Sequence, residues 1–298
     1  MPWRNIVIVK VIKVIQKGLH NMNSSNTRVS RISGASSLDD VLSGKEIGLK
    51  SDEDITAADI IDQVEFNENM EYTEFDDEAS GSFTYHGDDY AEQEFMRKYS
   101  NFDDLVSEME HYDLNPDENP ARTYDYADFI DWAEGHFMRG QQYRGFKRMS
   151  EEDQRMTRTY DYYLDRATLD KGIVVTRRAT PELLGIDTYG APPLEKLNKM
   201  RGKVVYSPAN MSTGLAKNGL AIGHGSEKTV EYRIHIPAGS KGAGMWIGDE
   251  RINGWGGRQR EFMTNRDSLY SIGSSDYDEK RGIAIVNLYY IGRTKHKY

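Results

Sequence analysis

Hydrophobic spacing divides the chain into three stretches. Up to about residue 95 the sequence has little apolar periodicity, and residues 21–51 are rich in Ser, Asn and Gly. Ordering such a stretch costs backbone entropy with no burial to offset it, so residues 1–95 are expected to be disordered or loosely ordered, with the Val/Ile-rich start a partly ordered terminus. Further on, Tyr126, Phe129, Ile130, Ala133 and Phe137 recur at helical spacing and predict a helix with one apolar stripe. A second helix is predicted to begin after Ser150, where S-E-E-D resembles a capping box and Met156, Tyr160, Tyr163, Leu164 and Ala167 continue the stripe.

After Lys171 the period changes. GIVVTRR, KVVYSP, TVEYRIHIP, SLYSI and GIAIVNLYYIG are short β-type runs separated by Gly, Pro, Asn and Asp clusters. Helices first and strands second predict an α+β domain over residues 96–298, with a mostly antiparallel two-sheet β core and helices against one flank.

Charge sharpens the first boundary. The chain has 298 residues and a formal net charge of −10, yet residues 51–96 hold 16 Asp and Glu and no Lys or Arg, which leaves +6 on the rest. That modest excess lacks a basic cluster, so no nucleic-acid partner is expected. The absence of Cys removes disulfide frameworks, thiolate metal sites and cysteine nucleophiles. Lys10, Lys13 and Lys17 interrupt the apolar start, so no conventional signal peptide is expected. No run approaches the roughly 18 apolar residues that span a bilayer, and the expectation is a soluble protein without a transmembrane segment. No phosphate-loop or H-E-x-x-H pattern occurs. G-A-G-M-W-I-G has the wrong glycine spacing for a dinucleotide-binding turn.

Three separated pieces carry candidate chemistry. Arg177 and Arg178 end the apolar run Ile173-Val174-Val175, and alternation along a strand sends their side chains to opposite faces. A guanidinium at a strand end suits a pyrophosphate, which it grips with two parallel hydrogen bonds. Ser212 and Thr213 follow a predicted strand, and a hydroxyl there can fix a carboxylate rotamer. The glycine-rich loop G-W-G-G-R-Q-R-E then places Gln259 and Glu261 two residues apart, on one face of a strand.

The order Arg, Ser-Thr, Gln-x-Glu resembles the ADP-ribosyltransferase exoenzymes, a family that includes clostridial Rho-modifying exoenzymes and binary-toxin enzymatic subunits. The flanks E-Y-R-I-H-I-P-A-G-S-K-G-A-G-M-W-I and E-F-M-T-N-R-D-S-L-Y-S-I are similar to the family's strand, Pro-Gly turn, carboxylate strand and return strand. The likeness covers about residues 170–296. Two departures stand out: the family's Ser-Thr-Ser is Ser212-Thr213-Gly214 here, and the arginine follows Thr176 where the toxins often have Tyr. Position in the strand favours Arg177 over Arg178 as the equivalent residue.

The resemblance implies an enzyme that splits NAD, its only cofactor-like ligand and a substrate, and transfers ADP-ribose to a protein without a metal. It implies Glu261 as the catalytic carboxylate on the ribose 2′-hydroxyl, with Ser212 holding it. Arg177, with Arg178, Thr213 and Arg233, would serve the phosphates. Gln259, where arginine-modifying members carry Glu, points to an acceptor other than arginine, and Trp255 on the same loop to target recognition. Action in the cytoplasm of a host or target cell follows from the same likeness. An NAD glycohydrolase, and an inactive binding or structural protein of this fold, are the alternatives.

Overall fold

In the computed structural model, residues 68–75, 90–118, 145–186, 190–215, 220–221, 228–249, 251–252, 261–296 and 298 are described here. The helix predicted around residues 126–137 lies outside them, as do Trp255 and Gln259.

Each predicted strand run forms a strand. β1 is Thr168–Leu169 and β2 Ile173–Ala179; β3 is Val204–Ser207, β4 Met211–Gly214 and β5 Leu220–Ala221. β6 is Val230–Ile236, β7 Ser240–Lys241, β8 Gly244–Trp246 and β9 Glu261–Thr264, followed by the long pair β10 (Ser268–Asp278) and β11 (Ile283–Arg293). Hydrogen bonding links them in the order β3-β10-β11-β6-β2-β4-β9-β8, with β5 on β2 and a separate β1-β7 pair. Among the described strands, β6–β11 and β2–β5 pair in parallel and the others antiparallel, so the sheet is mostly antiparallel and the class is α+β.

The sheet is unevenly stitched. β2 shares seven register pairs with β6 but a single one, Thr176 with Gly214, with β4. The strands carrying Arg177 and Ser212 therefore meet at one point and part on either side of it. On one side β5 pairs with Arg177 and Arg178. On the other, residues of the acidic segment fill the gap: the Thr73 amide donates to the Gly172 carbonyl (2.8 Å) and the Val174 amide to the Thr73 carbonyl (3.1 Å). Tyr72 packs edge-on to His235, and Phe75 to Phe95.

Helices cover the sheet. α1 (Tyr90–Tyr99) and α2 (Phe102–Leu114) precede α3 (Glu151–Arg166). α2 buries Phe102, Leu105, Val106 and Met109, the i, i+3, i+4, i+7 spacing of one face. α3 starts as its sequence predicts, because the Ser150 hydroxyl accepts the Asp153 amide (3.0 Å) and Glu151, Glu152 and Asp153 place negative charge in the first turn. Tyr160, Tyr163 and Leu164 are fully buried from α3, against a core that includes Ile173, Val175, Tyr232, Ile234 and Leu288. A short α4 (Leu194–Asn198) leads into β3.

Candidate active site

β4 and β9 bring the second and third sequence pieces together. Their register sets Gly214 opposite Glu261, Thr213 opposite Phe262 and Ser212 opposite Met263. Ser212 and Glu261 thus lie diagonally on one face, within side-chain reach. The Ser212 hydroxyl donates to Glu261 Oε1, and both residues are about 1% exposed. A buried carboxylate costs free energy unless its oxygens are hydrogen-bonded, and this contact also fixes which way the carboxylate points.

Arg177 completes the group. Its Nη1 donates to the Ser212 main-chain carbonyl at 2.8 Å, so a cation from β2 lies against the same residue whose hydroxyl holds Glu261. The guanidinium crosses where β2 and β4 part. Arg178, one position on, turns away and donates Nε to the Lys228 carbonyl (2.8 Å). Of the adjacent arginines, Arg177 is the one that reaches the Ser212 strand.

Thr213 lies on the other face of β4, and its hydroxyl donates to the Phe262 carbonyl (2.5 Å), fastening β4 to β9. Gly214, where the family's third hydroxyl would stand, sits in register between Thr176 and Glu261. As glycine it supplies no hydroxyl there.

Arg233 pairs in register with Thr176, one step out of phase with Arg177, which pairs with Tyr232. Alternation sends Arg233 and Arg177 to opposite faces of the sheet. Arg233 Nε donates to Glu231 Oε1 (3.1 Å), while Arg281 Nη1 donates to Glu231 Oε2 (2.6 Å). Glu231 is completely buried. Sequence reasoning singled out Arg233 but missed Glu231 and Arg281. The available signal was the E-Y-R spacing, which puts an acid and a base two apart on one strand face; Arg281, 50 residues from Glu231, gave none. Arg233 also borders a hollow lined by Glu74, Phe75, Val174, Thr176 and Leu215. On the same strand, burial holds His235 below the usual histidine range against the opposing hydrogen bond with Asn287, and its ring stacks on Tyr289 (4.5 Å).

Chemically, the arrangement offers one oriented carboxylate and one guanidinium on adjoining strands. The carboxylate can stabilise positive charge developing on a sugar, and the guanidinium suits phosphate oxygens.

A sequence profile described as ADP-ribosyltransferase exoenzyme matches residues 138–290. In three dimensions the chain is similar to C3stau2 from S. aureus, solved with NAD, at a TM-score of 0.51 and 12% identity over 75% of this chain and 100% of that one. It is also similar to C2-I, the enzymatic component of the C2 toxin from Clostridium botulinum, at a TM-score of 0.50 and 14% identity over 75% of this chain and 50% of that one. At such identities the likeness is one of fold. No curated protein sequence matches the chain. Among the described residues, no helix is long and apolar enough to cross a membrane.

Proposed function

The chain belongs to the ADP-ribosyltransferase exoenzyme family, and from that premise we propose that it transfers ADP-ribose from NAD to a protein acceptor and releases nicotinamide. The observation that carries this reading is the Ser212 hydroxyl bound to the buried Glu261 carboxylate, with Arg177 on the carbonyl of the same serine. NAD in the C3stau2 structure supports NAD as the substrate.

In the proposed reaction the bond between nicotinamide and C1′ of the ribose breaks. Its electron pair leaves with nicotinamide, which becomes neutral, and positive charge develops on the ribosyl carbon and ring oxygen. Glu261, held by Ser212, stabilises that charge through the ribose 2′-hydroxyl. A preoriented carboxylate needs no reorganisation as charge develops, an effect on the order of 10² to 10³ in rate for a well-aimed group. Arg177 binds the pyrophosphate and fixes the distance between it and Glu261. Arg233, on the other face of the sheet from Arg177 and held by Glu231, does not share that pyrophosphate. A nucleophile on the acceptor protein then attacks C1′, and the proton it sheds passes to water.

The acceptor is not arginine in this reading. Gln259, two residues before Glu261, cannot act as a base or carry the charge that would orient a guanidinium, and an amide acceptor such as Asn or Gln fits it better. Trp255 on the same loop meets the target.

The test is incubation of purified protein, and of Glu261→Ala, with labelled NAD and a host-cell lysate, read by gel autoradiography and a free-nicotinamide assay. Discrete bands from the wild type alone establish transfer. Nicotinamide release without bands means transfer to water, a glycohydrolase, and neither signal means an inactive binding protein. Labels mapped to arginine side chains overturn the acceptor assignment and leave Glu261 standing.

A further inference from the structure

The amide of Ile247 donates to the Glu261 carbonyl (2.9 Å), so the chain just past β8 and the start of β9 lie side by side. Glu261 opens β9, and Trp255 and Gln259 precede it in sequence. Gly248, Asp249, Arg251 and Ile252, the arm just past β8, are held against the helices. Gly248 passes so close over Trp246 that a Cβ would stand 2.4 Å from the indole nitrogen, which requires glycine there. Trp246 itself packs on Phe102 of α2 (ring centroids 4.9 Å apart), and Ile252 is completely buried.

Four charged side chains close over this arm. Asp249, 2% exposed, accepts from the Arg251 amide (2.9 Å), Arg251 Nε (2.9 Å) and Nη2 (3.1 Å), and from Arg97 Nη2 of α1 (3.2 Å). Arg251 Nη2 also donates to Asp103 of α2 (2.7 Å), and Arg97 Nε lies 3.8 Å from Asp103. The result is a ring of alternating sign, Arg97, Asp249, Arg251, Asp103, that ties the arm to both helices. Burial alone would raise the Asp249 carboxyl, but the Arg251 and Arg97 bonds outweigh it and hold it below the usual carboxylate range.

Asp103 and Arg97 are about half exposed, and pairs of that kind contribute little to stability. Their effect is directional, because a forked guanidinium shared between two carboxylates fixes the arm in orientation as well as in place. We infer that Arg97, Asp103, Asp249 and Arg251 are positioning residues that set the loop bearing Trp255 and Gln259 for the protein acceptor. The inference rests on the reading of that loop as the acceptor-facing element. It adds that the helical half of the domain governs transfer, while bond cleavage in NAD depends on β4 and β9.

The test uses the full-length chain as wild type, Asp103→Asn, Arg97→Gln and Asp103→Glu, each with labelled NAD and lysate. The readouts are nicotinamide release, protein labelling and Tm. Asp103→Asn and Arg97→Gln are expected to lose labelling about tenfold while nicotinamide release stays within about twofold, since small misplacements act on the step that needs the loop. Tm should move by no more than about 2 °C, and Asp103→Glu should regain most of the labelling. Unchanged labelling in both variants overturns the inference, as does an equal fall in labelling and release. A wild type that releases nicotinamide without labelling any protein overturns the acceptor reading, and this inference with it.

Discussion

Glu261 and Asp161 are both about 1% exposed, and the protein holds their carboxylates in different ways. Glu261 accepts a hydrogen bond from the Ser212 hydroxyl on the neighbouring strand. Asp161, on α3, faces Arg266, which donates Nε at 2.8 Å and Nη2 at 2.6 Å and sends Nη1 to Asp267 (3.0 Å). Tyr298 adds a hydroxyl to Asp161 (3.0 Å), and His296 lies between Asp267 (2.9 Å) and Asp165 (3.0 Å). Two parallel bonds from a buried guanidinium balance the Asp161 charge and weld α3 to the β9–β10 turn and the C-terminal residues. A hydroxyl orients Glu261 without adding positive charge. The contrast teaches that the same residue chemistry, equally buried, serves stability where a cation shares it and, in the proposed reaction, chemistry where a neutral donor aims it.

The largest effect is expected at Arg266. Arg266→Met leaves Asp161 buried without its guanidinium and should cost about 3–5 kcal/mol, a fall in Tm of roughly 10 °C for a domain of this size. Nicotinamide release measured well below that Tm should be nearly unchanged; an active-site loss as large as the stability loss would erase the distinction. Arg177→Gln should do the reverse. We expect NAD binding, followed calorimetrically, to weaken on the order of tenfold to a hundredfold, the worth of hydrogen bonds to a charged group. Its Tm should be close to that of the wild type.

Ser212→Ala sharpens the point at the carboxylate itself. Losing a hydrogen bond to a buried carboxylate should cost about 1.5–3 kcal/mol of stability and roughly tenfold in turnover, because Glu261 is no longer aimed. The two losses, read by denaturant unfolding and by nicotinamide release, should be separable by restoring a hydroxyl with Ser212→Thr.

The smallest effect is a pH dependence at the structural cluster. Burial pushes His296 down, but its bonds to Asp165 and Asp267 and the charge of Asp161 outweigh that and raise its pKa above the ordinary 6.5. A raised folded-state value means that the protonated form stabilises the fold. This contribution is complete below pH 6.5 and is lost as pH rises through the folded pKa. Wild-type Tm should therefore fall by a few °C, on the order expected for one linked proton, as pH rises from 6.5 through that value. His296→Gln should flatten the slope, and an unchanged slope would remove His296 from the cluster.

Much of this was legible in the sequence because it is local. Ser150 followed by three acids foretold the cap on α3, and the β-type runs TVEYRIHIP and GIAIVNLYYIG foretold β6 and β11. The order Arg177, Ser212, Glu261 was readable because each residue belongs to its own strand motif; of the two arginines, Arg177 is the one whose guanidinium contacts Ser212. Partners far apart in sequence were not readable. Asp161 and Arg266 are 105 residues apart and Asp103 and Arg251 are 148 apart, and nothing in either neighbourhood marks the other. α2 was missed because its apolar stripe of Phe102, Leu105, Val106 and Met109 is diluted by Asp and Glu. The pairing of Thr73 with the edge of β2 depends on β4 meeting β2 at a single residue, a property of the assembled sheet.

The most direct measurement is nicotinamide release and NAD affinity side by side for wild type and Glu261→Gln. The isosteric amide keeps a partner for Ser212 and removes the charge. If Glu261 stabilises the ribosyl cation, release falls about 10²- to 10³-fold while NAD binds within about threefold of wild type, less than the effect of one charged hydrogen bond. Equal turnover in the two proteins would contradict the assignment of the carboxylate and with it the account of the site.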